Sequence, residues 1–340
     1  MVNKIVFGIE NIDISQWSGL IAAGSAGNAF QTPQMYKVFE ATENYEPEVA
    51  GTLDAAGDLT GIILGVRICN GKGLMCRMSA RVIVWGGPVV KDDDSEIAAV
   101  LLKEFAEKVK NSCVYCEVRN IYPPGEEFVQ AFAHAGFSYK PHLNVIVDIR
   151  DKENILFKKL ASAKRRNVKK AIKKGLVFDE VRNSIELKEA YNILKEVYDR
   201  TEVPLSDFSL FKAMYELLVP SGLCRIFKVT RGDEMIGMLA ALVFNGRMYE
   251  WYVGSKKEFY NMRPNEFIVW EAFRYAKKEG LSYFDFGGAG KPGKKYGVRD
   301  FKKGFGGEIV ETGRFRIVNK RLPWLMGNMA VGMKKLFTAK

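Results

Sequence analysis

Residues 283–307 read Tyr283-Phe284-Asp285-Phe286-Gly287-Gly288-Ala289-Gly290-Lys291-Pro292-Gly293-Lys294-Lys295-Tyr296-Gly297-Val298-Arg299-Asp300-Phe301-Lys302-Lys303-Gly304-Phe305-Gly306-Gly307. The aromatic opening predicts a short strand over Tyr283–Phe286, ended by the glycines. A cationic loop comes next, with Lys291, Lys294, Lys295, Arg299, Lys302 and Lys303 interleaved with Tyr296, Phe301 and Phe305. A strand end opening into such a loop suits a phosphate or a developing oxyanion. Two familiar phosphate motifs fail here. Gly288-Ala289-Gly290-Lys291-Pro292-Gly293 has the dinucleotide spacing, but no helical period succeeds it. The same residues miss a P-loop, because Lys295 stands where a magnesium-binding Ser or Thr belongs.

Upstream of this strand, Pro264 opens a predicted helix to Lys278, with Gly280 at its end. Before it, strands are predicted at Cys224–Thr230, Met235–Phe244 and Met248–Val253, helices at Glu186–Arg200 and Phe208–Leu218, and a strand at Val177–Val181. One helix is predicted from Ile155 to Lys174, and a last strand over Ile309–Val318. The first half repeats the order. It has a helix over Gln34–Thr42, strands at Glu48–Leu53, Leu59–Ile68 and Arg81–Trp85, and a helix over Ser95–Val109 with Ser95 as its cap. A strand at Val114–Val118, a helix at Glu126–Ala135 and a strand at Asn144–Ile149 complete it. The turn Gly57-Asp58-Leu59-Thr60-Gly61 also resembles Gly232-Asp233-Glu234-Met235-Ile236-Gly237. Together these predict two tandem copies of one α/β domain with mixed α+β sheets.

The boundary is expected near Arg150, giving domains of residues 1–150 and 151–320 and a basic tail of residues 321–340. Charge changes sign there. Residues 1–150 hold 13 Lys+Arg and 18 Asp+Glu, a net of −5, whereas residues 151–340 hold 38 and 22, a net of +16. Such asymmetry points the second half toward a polyanion: nucleic acid, a nucleotide-linked substrate or an anionic membrane.

Composition narrows the class further. At 340 residues, 47% hydrophobic and 27% charged, the chain is an ordinary globular protein large enough for two cores. No run reaches the ~18 apolar residues of a spanning helix. Glu10 and Asp13 stand where a signal peptide needs an apolar core, so a soluble, cytoplasmic protein is expected. Five cysteines without an export signal suggest reduced thiols. Cys113 and Cys116, three apart in a strand, read as buried structural residues. With only His134 and His142, neither a histidine-rich metal site nor a histidine-based triad is favoured.

Lys158 to Lys174 holds nine basic residues and no acidic one. Like charges at helical spacing repel by ~0.2–0.5 kcal/mol per pair, and a bound polyanion relieves that. The tail, with Leu325, Met329, Leu336 and Phe337 among Arg321, Lys334, Lys335 and Lys340, reads as a C-terminal docking helix or as a basic amphipathic helix at the inner face of a membrane.

The chain resembles the Fem-type (FemAB-like) aminoacyltransferases, which build peptidoglycan interpeptide bridges. The resemblance rests on Phe30-Gln31-Thr32-Pro33, on residues 162–175, on Trp251-Tyr252-Val253-Gly254-Ser255, on Arg263-Pro264-Asn265, and most on the 283–288 and 301–307 segments. It implies two tandem GNAT-like acyltransferase domains with a cleft between them. It also implies transfer of an amino acid from aminoacyl-tRNA to an amine of a nucleotide- or lipid-linked cell-wall precursor. Lys302, beside Phe301, matches the functional lysine of the family's F-K motif, and Tyr252 a substrate-contacting tyrosine. The helix around Arg165 and Arg166 matches a precursor-binding region. Two positions depart: Met35 replaces an expected tryptophan, and Phe39 an expected precursor-binding lysine.

The residue chemistry agrees with amide formation. Glu250 or Asp285 can take a proton from, or orient, the attacking amine, and Lys302 can stabilise the oxyanion or the leaving hydroxyl. Substrate contacts are expected from Phe301, Tyr252, Arg263, Tyr296, Lys164, Arg165 and Arg166. No metal and no cofactor is expected, the acyl donor being a co-substrate. Two alternatives stay open. One is an acyl-CoA-dependent N-acyltransferase acting on a surface sugar, although Lys256 to Asn265 contains no glycine for a pyrophosphate loop. The other is a non-catalytic RNA-binding protein.

Overall fold

The computed structural model describes residues 4–69, 71, 73–327 and 329. Two compact units divide the chain. The first takes the residues up to Glu40, Asn44–Pro141 and the chain from Thr312 onward; the second takes Ala41–Glu43 and His142–Glu311.

The first unit is built on a sheet ordered Lys4–Phe7, Tyr45–Leu53, Leu59–Ile68, Arg81–Trp85, Tyr115–Arg119, Arg314–Val318 and Ser138–Lys140, with Val89–Val90 also paired to the third strand. Neighbours are antiparallel except Arg81–Trp85 and Tyr115–Arg119, which run parallel. The Ser95–Val109 helix buries Leu101, Leu102, Phe105 and Val109 against this sheet, a stripe at helical spacing. Its cap is Asp94 rather than Ser95: the Asp94 carboxylate accepts from the amides of Glu96 and Ile97. Glu117 is buried inside the sheet, where Arg119, Arg314 and Arg316 surround its carboxylate.

The second unit's sheet is ordered Glu308–Glu311, Leu143–Asp148, Tyr283–Gly288, Arg247–Ser255, Glu234–Phe244, Cys224–Arg231 and Val177–Glu180. Again one neighbouring pair is parallel, Arg247–Ser255 with Tyr283–Gly288. The Pro264–Lys278 helix packs Phe267, Ile268, Val269 and Phe273 into its core and ends before Gly280, whose φ of +76° is the left-handed closure glycine permits. The two turns with similar sequences close equivalent hairpins, one in each sheet. The tandem α/β architecture is therefore as expected.

Several expectations need correction. The divide falls at Pro141/His142 rather than Arg150, because the Leu143–Asp148 strand pairs with Tyr283–Gly288 and Glu308–Glu311. The strand predicted over Ile309–Val318 is two strands, cut at Gly313 (φ +70°), and the second returns to the first unit's sheet. The helix predicted from Ile155 is also two, Glu153–Lys159 and Ser162–Lys173. A seven-residue helix, Gly297–Lys303, does succeed the glycine-rich loop. Cys69 and Cys76 form a disulfide, against the expectation of reduced thiols, whereas Cys113, Cys116 and Cys224 are buried and free. Of the tail, residues 321–327 are helical. Trp324 lies edge-on to Tyr115 at 4.9 Å, as a docking helix would. Residue 328 and residues 330–340 lie outside the described residues. Among the described residues no helix is long and apolar enough to cross a membrane.

Candidate active site

The parallel pair in the second unit separates early. Arg247, Met248 and Tyr249 face Tyr283, Phe284 and Asp285, and there the pairing stops although both strands run on. On its other edge the Arg247–Ser255 strand slips register at Trp251, with Glu250 facing Ala241 and Tyr252 facing Ala240. Such a bulge bends a strand and re-aims its side chains. Glu250 is thus the first residue past the last parallel pair.

Lys302, on the short Gly297–Lys303 helix, reaches this opening. Its ammonium donates to the carbonyls of Phe286 and Gly288, the latter at 3.0 Å, and lies 3.8 Å from Glu250 Oε1. Glu250 is buried, and its Oε2 has no hydrogen-bond partner. Burial pushes the Glu250 carboxyl up to about 7, Lys302 opposing the rise and Asp285 adding to it. A carboxyl titrating near neutrality with one oxygen unengaged is equipped to accept a proton. Nearby Tyr198 is pushed up to about 12, by burial and then by the Glu250 charge, so it stays a neutral phenol.

Asp285 differs. It is fully buried, pairs with Arg247 at 3.2 Å and accepts the Gly287 amide at 2.7 Å. Burial raises it to about 6, with Arg247 the largest opposing influence. With Arg247 and Gly287 engaging its two oxygens, it braces the strand end rather than facing a ligand. Of the two carboxylates expected as base, Glu250 is the one that keeps an unengaged oxygen.

The other expected contacts divide. Phe301 caps the Lys164 ammonium, 3.3 Å from its ring, and Lys164 pairs with Glu266, which also accepts from Asn167. Tyr252 is buried against Phe211 and shares a 2.9 Å hydrogen bond with Ser206. Arg263 takes a left-handed φ of +67° just before the Pro264 helix, its Nε buried without a partner. Tyr296 is exposed, its ring over Gly290. Arg165 does not face outward for a ligand: its guanidinium donates to the carbonyls of Lys158 and Leu160, closing the end of the preceding helix. Arg166 is exposed. The cationic loop is pinned rather than loose, because Arg299 donates to the carbonyls of Ala289, Lys291 and Lys294.

Sequence reading placed Ser255 in the Trp251–Ser255 segment but gave it no role; it is buried with an unpartnered hydroxyl. It lines a cavity of about 300 Å³ with Val253, Asn265, Val298 and Phe301. Position alone carries no signal for such a group; the nearest hint was its place two residues beyond the Tyr252-Val253 step.

Residues 162–303 match the family model described as an acetyltransferase (GNAT) domain. The crystal structure of FemX superposes with a TM-score of 0.72 at 17% identity, covering 92% of this chain and 98% of that one. A tandem GNAT protein from the clavulanic acid biosynthesis pathway superposes with a TM-score of 0.60 at 10% identity, covering 93% and 99%. These likenesses define the class: two GNAT-like domains in tandem. A lipid II:glycine glycyltransferase of Staphylococcus saprophyticus is 22% identical over 53% of this chain. The chain spans 60% of that protein's length. By these matches the chain is similar in sequence to a Fem-type transferase and in fold to FemX, with a GNAT domain in its second half.

Proposed function

We propose that this protein is an aminoacyltransferase that moves an amino acid from aminoacyl-tRNA onto an amine of a cell-envelope precursor. The observation that carries this reading is the Glu250–Lys302 pair, set where two parallel strands separate. Glu250 takes a proton from the acceptor ammonium, and the freed amine attacks the ester carbonyl carbon of the donor. The C–N bond forms while the carbonyl electron pair moves onto oxygen, beside the Lys302 ammonium. Collapse breaks the ester C–O bond: the proton held by Glu250 passes to the leaving ribose oxygen, and the Glu250 carboxylate so restored takes the second proton from the new amide nitrogen and releases it to water. A base titrating near the working pH and a preorganised cation are the two aids this step needs.

The donor is the second half of the proposal. Lys158 to Lys174 supplies a basic face for RNA phosphates, most of it exposed. A pyrophosphate of coenzyme A finds little in the corresponding turn. Pro264 removes an amide from the helix start, and Glu266 puts a carboxylate in its first turn. The GNAT family match keeps acyl-CoA as the second reading. The acceptor class is read from the lipid II glycyltransferase likeness, and membrane contact of the tail belongs to the same proposal.

The test compares transfer from charged tRNA and from acetyl-CoA to an amine-bearing muropeptide, across a salt series. Salt-sensitive transfer from charged tRNA that is lost in Lys302→Ala supports the reading. Transfer from acetyl-CoA alone overturns it in favour of an acyl-CoA enzyme. RNA binding with no transfer from either donor overturns both.

A further inference from the structure

The first unit has a cavity of its own, of about 510 Å³. It lies just past the carboxyl ends of that unit's one parallel strand pair, where Gly86 and Gly87 come after Trp85, and Asn120 after Arg119. Ligands of open α/β sheets bind outside the carboxyl ends of the strands. In the second unit the equivalent place holds Glu250 and Lys302.

The chemistry here is different. Among the residues lining the cavity are the carboxylates of Asp93, Glu126 and Glu127, and no Lys, Arg or His. Pro88, Phe128 and Phe132 give it apolar walls. Glu117, the buried carboxylate of this strand pair, is tied up by Arg119, Arg314 and Arg316, so it offers no base for acyl transfer. The rim is held in place: Ser25 Oγ donates to both oxygens of Asp93, at 2.7 and 2.8 Å. Glu126 and Glu127 stand on the first turn of the Glu126–His134 helix. A pocket of this size suits a small ligand. Apolar walls under an anionic rim repel phosphates and carboxylates and attract a cation carried on hydrocarbon.

We propose that this cavity binds a primary ammonium on a short alkyl chain, the chemistry shared by a lysine-type side chain and a free diamine. The proposal stands whether or not the second unit transfers amino acids.

Calorimetric titration of the full chain tests it with three probes: cadaverine, Nα-acetyl-lysine methylamide, and hexanoate as an anion of similar length. The expected result is one-to-one binding of an amine with no binding of hexanoate. Preference for the lysine derivative identifies a peptide side chain as the ligand, and preference for cadaverine a free diamine. Glu126→Gln with Glu127→Gln should weaken amine binding at least tenfold, while Glu107→Gln, exposed on the Ser95–Val109 helix and outside the cavity lining, leaves it unchanged. Should the double variant lose its helix by circular dichroism, Asp93→Asn, on a separate segment, carries the same tenfold criterion. Absence of amine binding, equal binding of hexanoate, or loss in Glu107→Gln overturns the proposal.

Discussion

Replacing Glu250 with Gln should make the second unit more stable at pH 8, although the residue is the proposed base. The folded protein holds the Glu250 proton to about 7, against an ordinary value of 4.5. A carboxyl whose folded value is raised contributes its full stability at pH below 4.5 and loses it as pH climbs through about 7. The difference of roughly 2.5 units, at 1.36 kcal/mol each, is a cost of about 3 kcal/mol once both states are ionised. Gln keeps the shape and cannot ionise, so the variant escapes that cost. Urea denaturation at pH 5 and pH 8 measures it. The variant should be close to wild type at pH 5 and more stable by about 2–3 kcal/mol at pH 8, with transfer lowered by ~10²–10⁴-fold. A stability difference that is the same at both pH values refutes the burial argument. Unchanged transfer refutes the role as base.

Four further outcomes are expected. Lys302→Ala should lower the transfer rate by ~10²–10³-fold, the scale of one lost oxyanion donor, with the fold retained; steady-state kinetics and circular dichroism check both. Gly287→Ala should cost about 1–3 kcal/mol in urea denaturation, because φ is +64° and a Cβ would stand 2.8 Å from the Tyr249 hydroxyl oxygen. Glu117→Gln should cost about 1.5–3 kcal/mol at pH 7, because three half-buried arginines lose a buried carboxylate partner. Burial alone would raise Glu117, but Arg119, Arg314 and Arg316 outweigh it and hold the carboxyl at about 2. That stability is present above pH 4.5 and is lost as pH falls toward 2, so the cost of the substitution should shrink by pH 3. Replacing Lys169, Lys170 and Lys173 with Gln should reduce the salt slope of tRNA binding by about 2–3, measured by filter binding over 50–200 mM salt.

The parts of this fold legible from sequence were those whose local chemistry and tertiary role agree. The Pro264–Lys278 helix carries its own start and stop, and the Leu59–Ile68 strand is a β-branched run bounded by turns. The misreadings came where a distant contact decides. Nothing local breaks a helix at Leu160-Ala161; Leu160 turns into the core, and the Ala161 amide donates to the carbonyl of Gly304, more than a hundred residues away. The repeated order of elements, with the change in charge, placed the divide near Arg150, but domains are set by strand pairing. The Leu143–Asp148 strand lies before the sign change and belongs with the strands after it.

The site shows the same division more sharply. Residue types alone left Glu250 and Asp285 equal candidates for the base, with Lys302 favoured beside them, since each carboxylate lies in an aromatic strand. One residue of strand pairing separates the two carboxylates. Asp285 is the last residue paired in parallel and is neutralised by Arg247, a neighbour on the partner strand. Glu250 lies one step further, where the partner strand has turned away and Lys302 approaches it. A carboxylate inside the paired region has its lone pairs engaged and serves the fold; the next one outward keeps an oxygen unengaged and can serve chemistry. Substituting each in turn tells the two roles apart. Asp285→Asn should disturb stability and transfer together, because it loosens the strand end that positions Lys302. Glu250→Gln should separate the two, raising stability as transfer falls. If Asp285→Asn instead abolished transfer while leaving urea denaturation unchanged, the roles of base and brace would be reversed.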